Sequence, residues 1–291
     1  MNDSQDNFRD RALRFFPDGS NGEYGIPEGD APVIERGRGC RVWDTGGREY
    51  LDMTMAWGAA LVGHAHPKVL EAANAAAANG ANFAAVTRPM VELAERIADI
   101  SPCVERIRFV ASGTEATMLC LRAARAATGR AKILKFEGAY HGQHPEGVTS
   151  LVGSDPPALP QPDPAGTGAP WVERDVLVAP YNDLAATEQI LTDHAADLAA
   201  VIVEPLHRCI TPVDGFLQGL REATAKRGIV LVFDEVVTGF RLALGGAQEY
   251  YGVSPDLVAY GKGLGGGVMP VAALIAAEGL NTRNIKALFF I

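Results

Sequence analysis

Short apolar runs separated by helix-length stretches set the strongest constraint on this chain. Runs at 106–110, 133–136, 176–179, 199–203, 229–233 and 257–260 are too brief for helices, and most are apolar throughout, as strands buried on both faces are. Between them lie helical stretches from the Ser112-Gly113-Thr114 turn to about 128, then at 183–196 and 215–227. Strands alternating with helices of this length imply βα units and a mainly parallel sheet with helices on both faces, an α/β fold. Residues 271–276 add a further strand, which could run antiparallel. Upstream the pattern differs. Strand candidates at 32–35, 40–43 and 50–53, the last two joined by Thr45-Gly46-Gly47, form an antiparallel meander belonging to a minor domain. Helix candidates at 67–79 and 89–100 each open on a proline. The amphipathic positions Phe8, Leu13, Phe15 and Phe16 end at Pro17 and Gly19, and no internal repeat is visible.

In parallel sheets, ligands sit beyond the carboxyl ends of the strands, so the residues delivered there carry the chemistry. The run 229–233 ends in Asp234-Glu235, and 257–260 leads into Gly261-Lys262 and a glycine-rich loop. The run 199–203 ends in Glu204-Pro205, 106–110 precedes Ser112-Gly113-Thr114, and 133–136 precedes Tyr140-His141-Gly142. A lysine amine can form a Schiff base with an aldehyde, and a carboxylate such as Asp234 can keep a pyridine nitrogen charged. A glycine at a helix start admits a phosphate to free backbone N–H groups, and an aromatic such as Tyr140 can stack on a flat ring. Val236 could pack on the other ring face. Together these groups fit pyridoxal 5'-phosphate (PLP). Singly each has a plainer use: Ser112 as an ordinary helix cap, Tyr140 and His141 as residues of a domain edge, Glu204 as a cap for a neighbouring helix.

Other motifs read as structure. Gly261-Lys262-Gly263-Leu264-Gly265 lacks the preceding glycines and following Ser or Thr of a nucleotide P-loop. His64-Ala65-His66-Pro67 has no third ligand at sensible spacing, and no carboxylate cluster accompanies Asp234-Glu235 in sequence, so no metal site is expected. The proline- and glycine-rich stretch 153–171 reads as a functional loop or lid, or as a tolerated surface insertion. A formal net charge of −9 argues against nucleic acid or an anionic membrane surface as partner. The widely spaced Cys40, Cys103, Cys120 and Cys209, the polar start and the lack of any membrane-length apolar run lead to an expectation of reduced thiols and a cytoplasmic protein.

In order and spacing, these elements resemble the class III (fold type I) PLP-dependent aminotransferases, most closely the glutamate-1-semialdehyde aminomutase-like members. The matching segments are Gly63-His64-Ala65-His66-Pro67, 112–117, Tyr140-His141-Gly142, Tyr181-Asn182-Asp183-Leu184, Val203-Glu204-Pro205, 233–241 and Gly261-Lys262, over about residues 8–276. The resemblance implies Lys262 as the catalytic lysine bonded to the cofactor, Asp234 at the pyridinium, and Ser112, Gly113 and Thr114 at the phosphate. It likewise implies Tyr140 and His141 beside the ring, Val236 behind it, Glu204 nearby, Trp57 on the substrate, and a mobile gate at 153–171. It implies a fold type I large domain at 61–276, a small α+β domain begun by residues 1–60, and a homodimer. The resembled chains continue well past their lysine, so an incomplete small domain and a divergent tail at 277–291 are expected. The arginine that the aminomutases carry after the first glycine turn is missing from Gly19-Ser20-Asn21-Gly22-Glu23-Tyr24. The expected activity is therefore transamination between an amine or amino acid and a keto or aldehyde acceptor. Aminomutase-type intramolecular transfer and a truncated inactive fragment are the alternatives.

Overall fold

The computed structural model describes residues 5–16, 32–80, 82–152, 158–163 and 169–277. The chain divides into two units, Met1–Ala81 with Gly266–Val268, and Asn82–Gly265 with Met269–Ile291.

The first unit contains α1 (Gln5–Leu13), the antiparallel meander β1 (Ile34–Arg38), β2 (Arg41–Asp44) and β3 (Glu49–Leu51), and α2 (Pro67–Ala77). The β2–β3 turn is organised by Asp44, whose carboxylate accepts from the Gly46 and Arg48 N–H groups at 2.9 Å and from the Tyr50 hydroxyl at 2.8 Å. His64 Nε2 pairs with Asp52 Oδ2 at 2.6 Å, and His66 is the N-cap residue of α2 with Pro67 in its first turn. The His64-Ala65-His66 motif is thus a helix approach.

The second unit contains α3 (Arg88–Ile100), β4 (Arg106–Val110), α4 (Gly113–Thr128), β5 (Lys132–Phe136), α5 (Pro145–Val148), α6 (Val172–Asp175), β6 (Val176–Ala179), α7 (Leu184–Asp193), β7 (Leu198–Val203), α8 (Phe216–Lys226), β8 (Val230–Glu235), α9 (Gly246–Tyr251), β9 (Leu257–Tyr260) and β10 (Ala272–Ala276). Its seven strands form one sheet in the order β4-β10-β9-β8-β7-β5-β6. The ladders from β9 to β6 are parallel, and β10 runs antiparallel to both β9 and β4.

Strand alternation explains why the runs are apolar throughout. Val201, Val203, Leu231 and Phe233 pack on one face with Phe216, Leu217 and Leu220 of α8 and Leu191 of α7. Ala200, Ile202, Val230 and Val232 pack on the other with Ala116, Cys120, Leu121 and Ala124 of α4. Both faces being covered, each strand position buries a side chain, typically worth ~1.5–3 kcal/mol for a large aliphatic residue. The same parity decides where the acids point. Glu204 and Asp234 continue the α4-facing series of β7 and β8, whereas Glu235 continues the other series and accepts from the Ala247 and Gln248 N–H groups at the start of α9.

The expected strands fall within about two residues of the observed ones. The short helices α5, α6 and α9 are additions, four to six residues being too few for a helical period to show. Residues 153–157 and 164–168 of the proposed gate, the Gly19–Tyr24 turn and the tail beyond Ala277 lie outside the described residues. Among the described residues no helix is long and apolar enough to cross a membrane.

Candidate active site

At the carboxyl ends of β5, β7, β8 and β9 the second unit opens into a cleft of about 210 Å³, lined among others by Gly113, Thr114, Tyr140, His141, Glu204, Arg208, Asp234, Val236 and Lys262.

Asp234 forms the floor. Its Oδ1 accepts from the Val236 N–H at 3.1 Å and its Oδ2 lies 2.7 Å from His141 Nδ1. Burial pushes the Asp234 carboxyl up to about 6, against the pull of the Val236 N–H and of Lys262. Burial also drives His141 well below the usual imidazole range. A neutral imidazole carries one N–H, and at Nδ1 it donates to the ionised Asp234; Nε2 is buried and meets no hydrogen-bond partner among the described residues.

Lys262 opens a 3-10 turn (Lys262–Gly265) with a left-handed φ of 38°, a backbone conformation uncommon for a non-glycine residue. Burial lowers its amine from the usual lysine value, outweighing the attraction of Asp234 and Glu204. A lysine so shifted offers more of its neutral, nucleophilic form at neutral pH.

The start of α4 forms another wall. The Ser112 hydroxyl is the helix cap, accepting from the Glu115 N–H, while Glu115 Oε2 accepts in return from the Ala111 N–H at 2.9 Å. Its side chain is therefore engaged in the cap, the plainer of its two expected uses. The first-turn N–H groups of a helix have no intrahelical partner and draw anions. A Cβ on Gly113 would come within 2.9 Å of the Val236 methyls, so only glycine lets Val236 close up beneath the helix start. Gly142, at φ +109°, passes so near Thr114 that a Cβ would lie 2.7 Å from its Cα.

Glu204 Oε1 accepts from the Tyr140 N–H at 3.2 Å, which fixes the strand end that carries Tyr140. It acts on the β5 loop rather than as a helix cap. His141, Glu204 and Asp234 place ligand-type atoms within 4.8 Å of one another, a cluster that linear spacing conceals. Trp57 belongs to the first unit, exposed, in a run of left-handed residues with Met55 and Ala56.

Residues 26–285 match the class-III aminotransferase family. The chain belongs to the class III aminotransferases. It is 45% identical over 270 residues to the glutamate-1-semialdehyde 2,1-aminomutase of Neisseria meningitidis, an alignment covering 91% of this chain and 62% of that protein. Among solved structures it resembles an omega-transaminase from Sphaerobacter thermophilus, with a TM-score of 0.88 and 38% identity over 94% of this chain and 64% of the other. A transaminase with PLP bound gives a TM-score of 0.87 and 31% identity over 96% and 65% of the two chains. The chain thus spans less than two thirds of the length of these relatives.

For this class III aminotransferase chain, sequence reasoning passed over two charged residues of the cleft region. Lys135, buried in β5, donates to the carbonyls of Ala139 at 2.8 Å and Gly147 at 3.1 Å and to that of Thr149, gathering the loop that carries Tyr140 and His141. Burial brings its amine down to about 7. A lysine inside the apolar run Ile133-Leu134-Lys135-Phe136 was the available signal. Arg208 lines the cleft four positions after Glu204 in the chain, and nothing local in the sequence marks it.

Proposed function

We propose that the cleft holds PLP and that the chain moves an amino group between an amine or amino acid and a keto or aldehyde acceptor. One observation carries this reading: a buried carboxylate with a raised affinity for its proton, Asp234, and a lysine of lowered basicity, Lys262, share a cleft with a helix start left open by Gly113. The residues present fit the cofactor. Asp234 lacks a cationic hydrogen-bond partner among the described residues and is built to hold one, as a protonated pyridine nitrogen would be. Gly113 and Thr114 would bind the phosphate, Tyr140 and Val236 would enclose the ring, and Lys262 would hold the aldehyde carbon. When bound, PLP supplies an electron sink and a carrier for the amino group.

The chain's own residues supply the rest. Lys262 moves a proton at the substrate carbon, a task suited to a lysine whose basicity has been lowered toward neutral pH. His141 donates from Nδ1 to Asp234 Oδ2, which together with the Val236 N–H on Oδ1 fixes the carboxylate's orientation. Glu204 holds Tyr140 in place through its backbone N–H. Trp57 is proposed as a substrate contact on the family resemblance.

Borohydride reduction of the PLP-loaded protein followed by peptide mass spectrometry should place the cofactor on Lys262, and Lys262→Ala should lose the visible absorbance of the bound form. An unchanged absorbance in that variant would sink the assignment. The 45% identity to an aminomutase supports a second reading, amino transfer within one substrate. Release of free keto product from an amine donor favours transamination; strict retention of nitrogen on one carbon skeleton favours the mutase. A homodimer is the assembly we infer from the family, and light scattering on the eluted protein measures it.

A further inference from the structure

The roles above leave one cationic side chain of the cleft without a task. Arg208 sits just past β7, with its backbone in the left-handed region at φ 57°. A branch-free but bulky residue in that region is uncommon, and such positions cluster at ligand clamps. Its loop is held shut: Glu204 Oε2 accepts the Arg208 N–H at 3.2 Å, and His207 and Ile210 exchange backbone hydrogen bonds at 3.1 and 2.8 Å.

The guanidinium is steadied but not saturated. Its Nη2 donates to the Gly138 carbonyl at 3.2 Å, and it lies 5.8 Å from the centroid of the Tyr140 ring. Its nearest carboxylate, Glu204, stands 3.9 Å away, too far for a hydrogen bond and without two-point geometry. The side chain remains 48% exposed and lines the cleft, which leaves donors of its fork accessible to a ligand. A guanidinium has five N–H donors in a plane matched to an oxyanion.

We propose that Arg208 binds an oxyanion of the reactants, and we assign it to the carboxylate of an amino-acid substrate rather than to the cofactor phosphate. The α4 start and Thr114, beside Gly142, are already assigned to the phosphate in the proposed reading. Arg208 lies instead with Tyr140 and Glu204, on the β7 side of Asp234 from Lys262. Strands β7 and β9 flank β8, roughly 10 Å apart, and the arginine's long side chain spans part of that gap. An amine at Lys262 and a carboxylate at Arg208 then describe a small amino acid, not a simple amine. This inference rests on the PLP reading.

Calorimetric titration tests it with two probes, PLP on the cofactor-free protein and propanoate on the loaded one. Arg208→Gln should weaken propanoate binding by roughly tenfold or more, the usual loss of a charge-assisted pair, with PLP affinity within about twofold of the parent by the same reasoning. Arg208→Lys should recover part of the loss. Arg208→Gly, which relieves the left-handed backbone, should melt no lower than the parent and still fail to bind propanoate; this variant serves if the glutamine form is unstable. Unchanged propanoate affinity in Arg208→Gln overturns the proposal, as does a loss of PLP affinity alone or of both affinities together. A parent chain that takes up PLP but not propanoate overturns it as well. A parent chain that takes up no PLP overturns the cofactor reading and this inference with it.

Discussion

Asp234 at the cleft floor and Glu146 at the α4–α5 junction are both buried carboxylates beside a histidine, 6% and 8% exposed, yet they titrate in opposite directions. Burial raises Glu146 too, but hydrogen bonds from His144 and Arg125 outweigh it and bring the group down to about 2. Arg125 Nη1 donates to Oε1 at 2.8 Å and His144 Nδ1 lies 3.2 Å from Oε2. Asp234 has a closer histidine, at 2.7 Å, but no guanidinium, and burial wins. Deeper desolvation and the lack of a guanidinium at Asp234 separate the two uses. Glu146 is a completed ion pair tying α5 to α4. Asp234 is an incomplete one, without a cationic hydrogen-bond partner among the described residues.

The largest effect falls at Asp234. Asp234→Asn should lower the single-turnover rate of amino transfer by at least about 100-fold, roughly 3 kcal/mol of barrier, while leaving the urea stability of the cofactor-free protein at pH 7 equal to or above the parent's, because an uncompensated buried charge is removed. A variant both inactive and unstable would place Asp234 with Glu146 as a structural acid. Glu146→Gln should do the reverse, costing roughly 2 kcal/mol in urea unfolding at pH 7 once solvent screening of the pair is allowed for, with PLP uptake retained.

Acid titration of stability sharpens the contrast. Asp234 has a folded value of about 6, above its unfolded value of 3.8, so the native state holds the extra proton between them. Its contribution is full below about pH 4 and is lost as pH rises through 6. Glu146 has a folded value of about 2, below 4.5, so its contribution is present above 4.5 and is lost as pH falls toward 2. Asp234→Asn should flatten the decline between pH 4 and 6, and Glu146→Gln the rise between 2 and 4.5, each by about 1–2 kcal/mol. The smallest effect belongs to Ser112. With its hydroxyl capping α4, Ser112→Ala should cost about 1 kcal/mol of stability and leave PLP affinity nearly unchanged; a large loss of affinity would restore the hydroxyl to the phosphate site.

Much of this cleft was legible from strand ends. Asp234, Lys262, Glu204 and Gly113 each follow an apolar run, and a parallel sheet carries such residues to one edge. Asp234 and Glu235, adjacent in sequence, were indistinguishable until strand parity sent one to the α4 face and the other to the start of α9. Ser112 carried two readings at once; its hydroxyl caps α4, and the Ser112→Ala variant tests its part in the phosphate site. Lys135 could have been found, since a cation inside a buried run demands partners. Arg208 could not: its importance lies in a left-handed backbone and in facing Tyr140, whose strand is distant in sequence.

By itself the sequence determined the βα rhythm, the strands buried on both faces and the residues that terminate them, because apolar periodicity and turn chemistry act over a few neighbouring residues. Only the tertiary structure decided that His141 meets Asp234, that Arg208 overlooks Tyr140 and that β10 runs against both its neighbours. Those facts depend on strand order, and strand order is settled by how whole faces pack together, which no local stretch of sequence records.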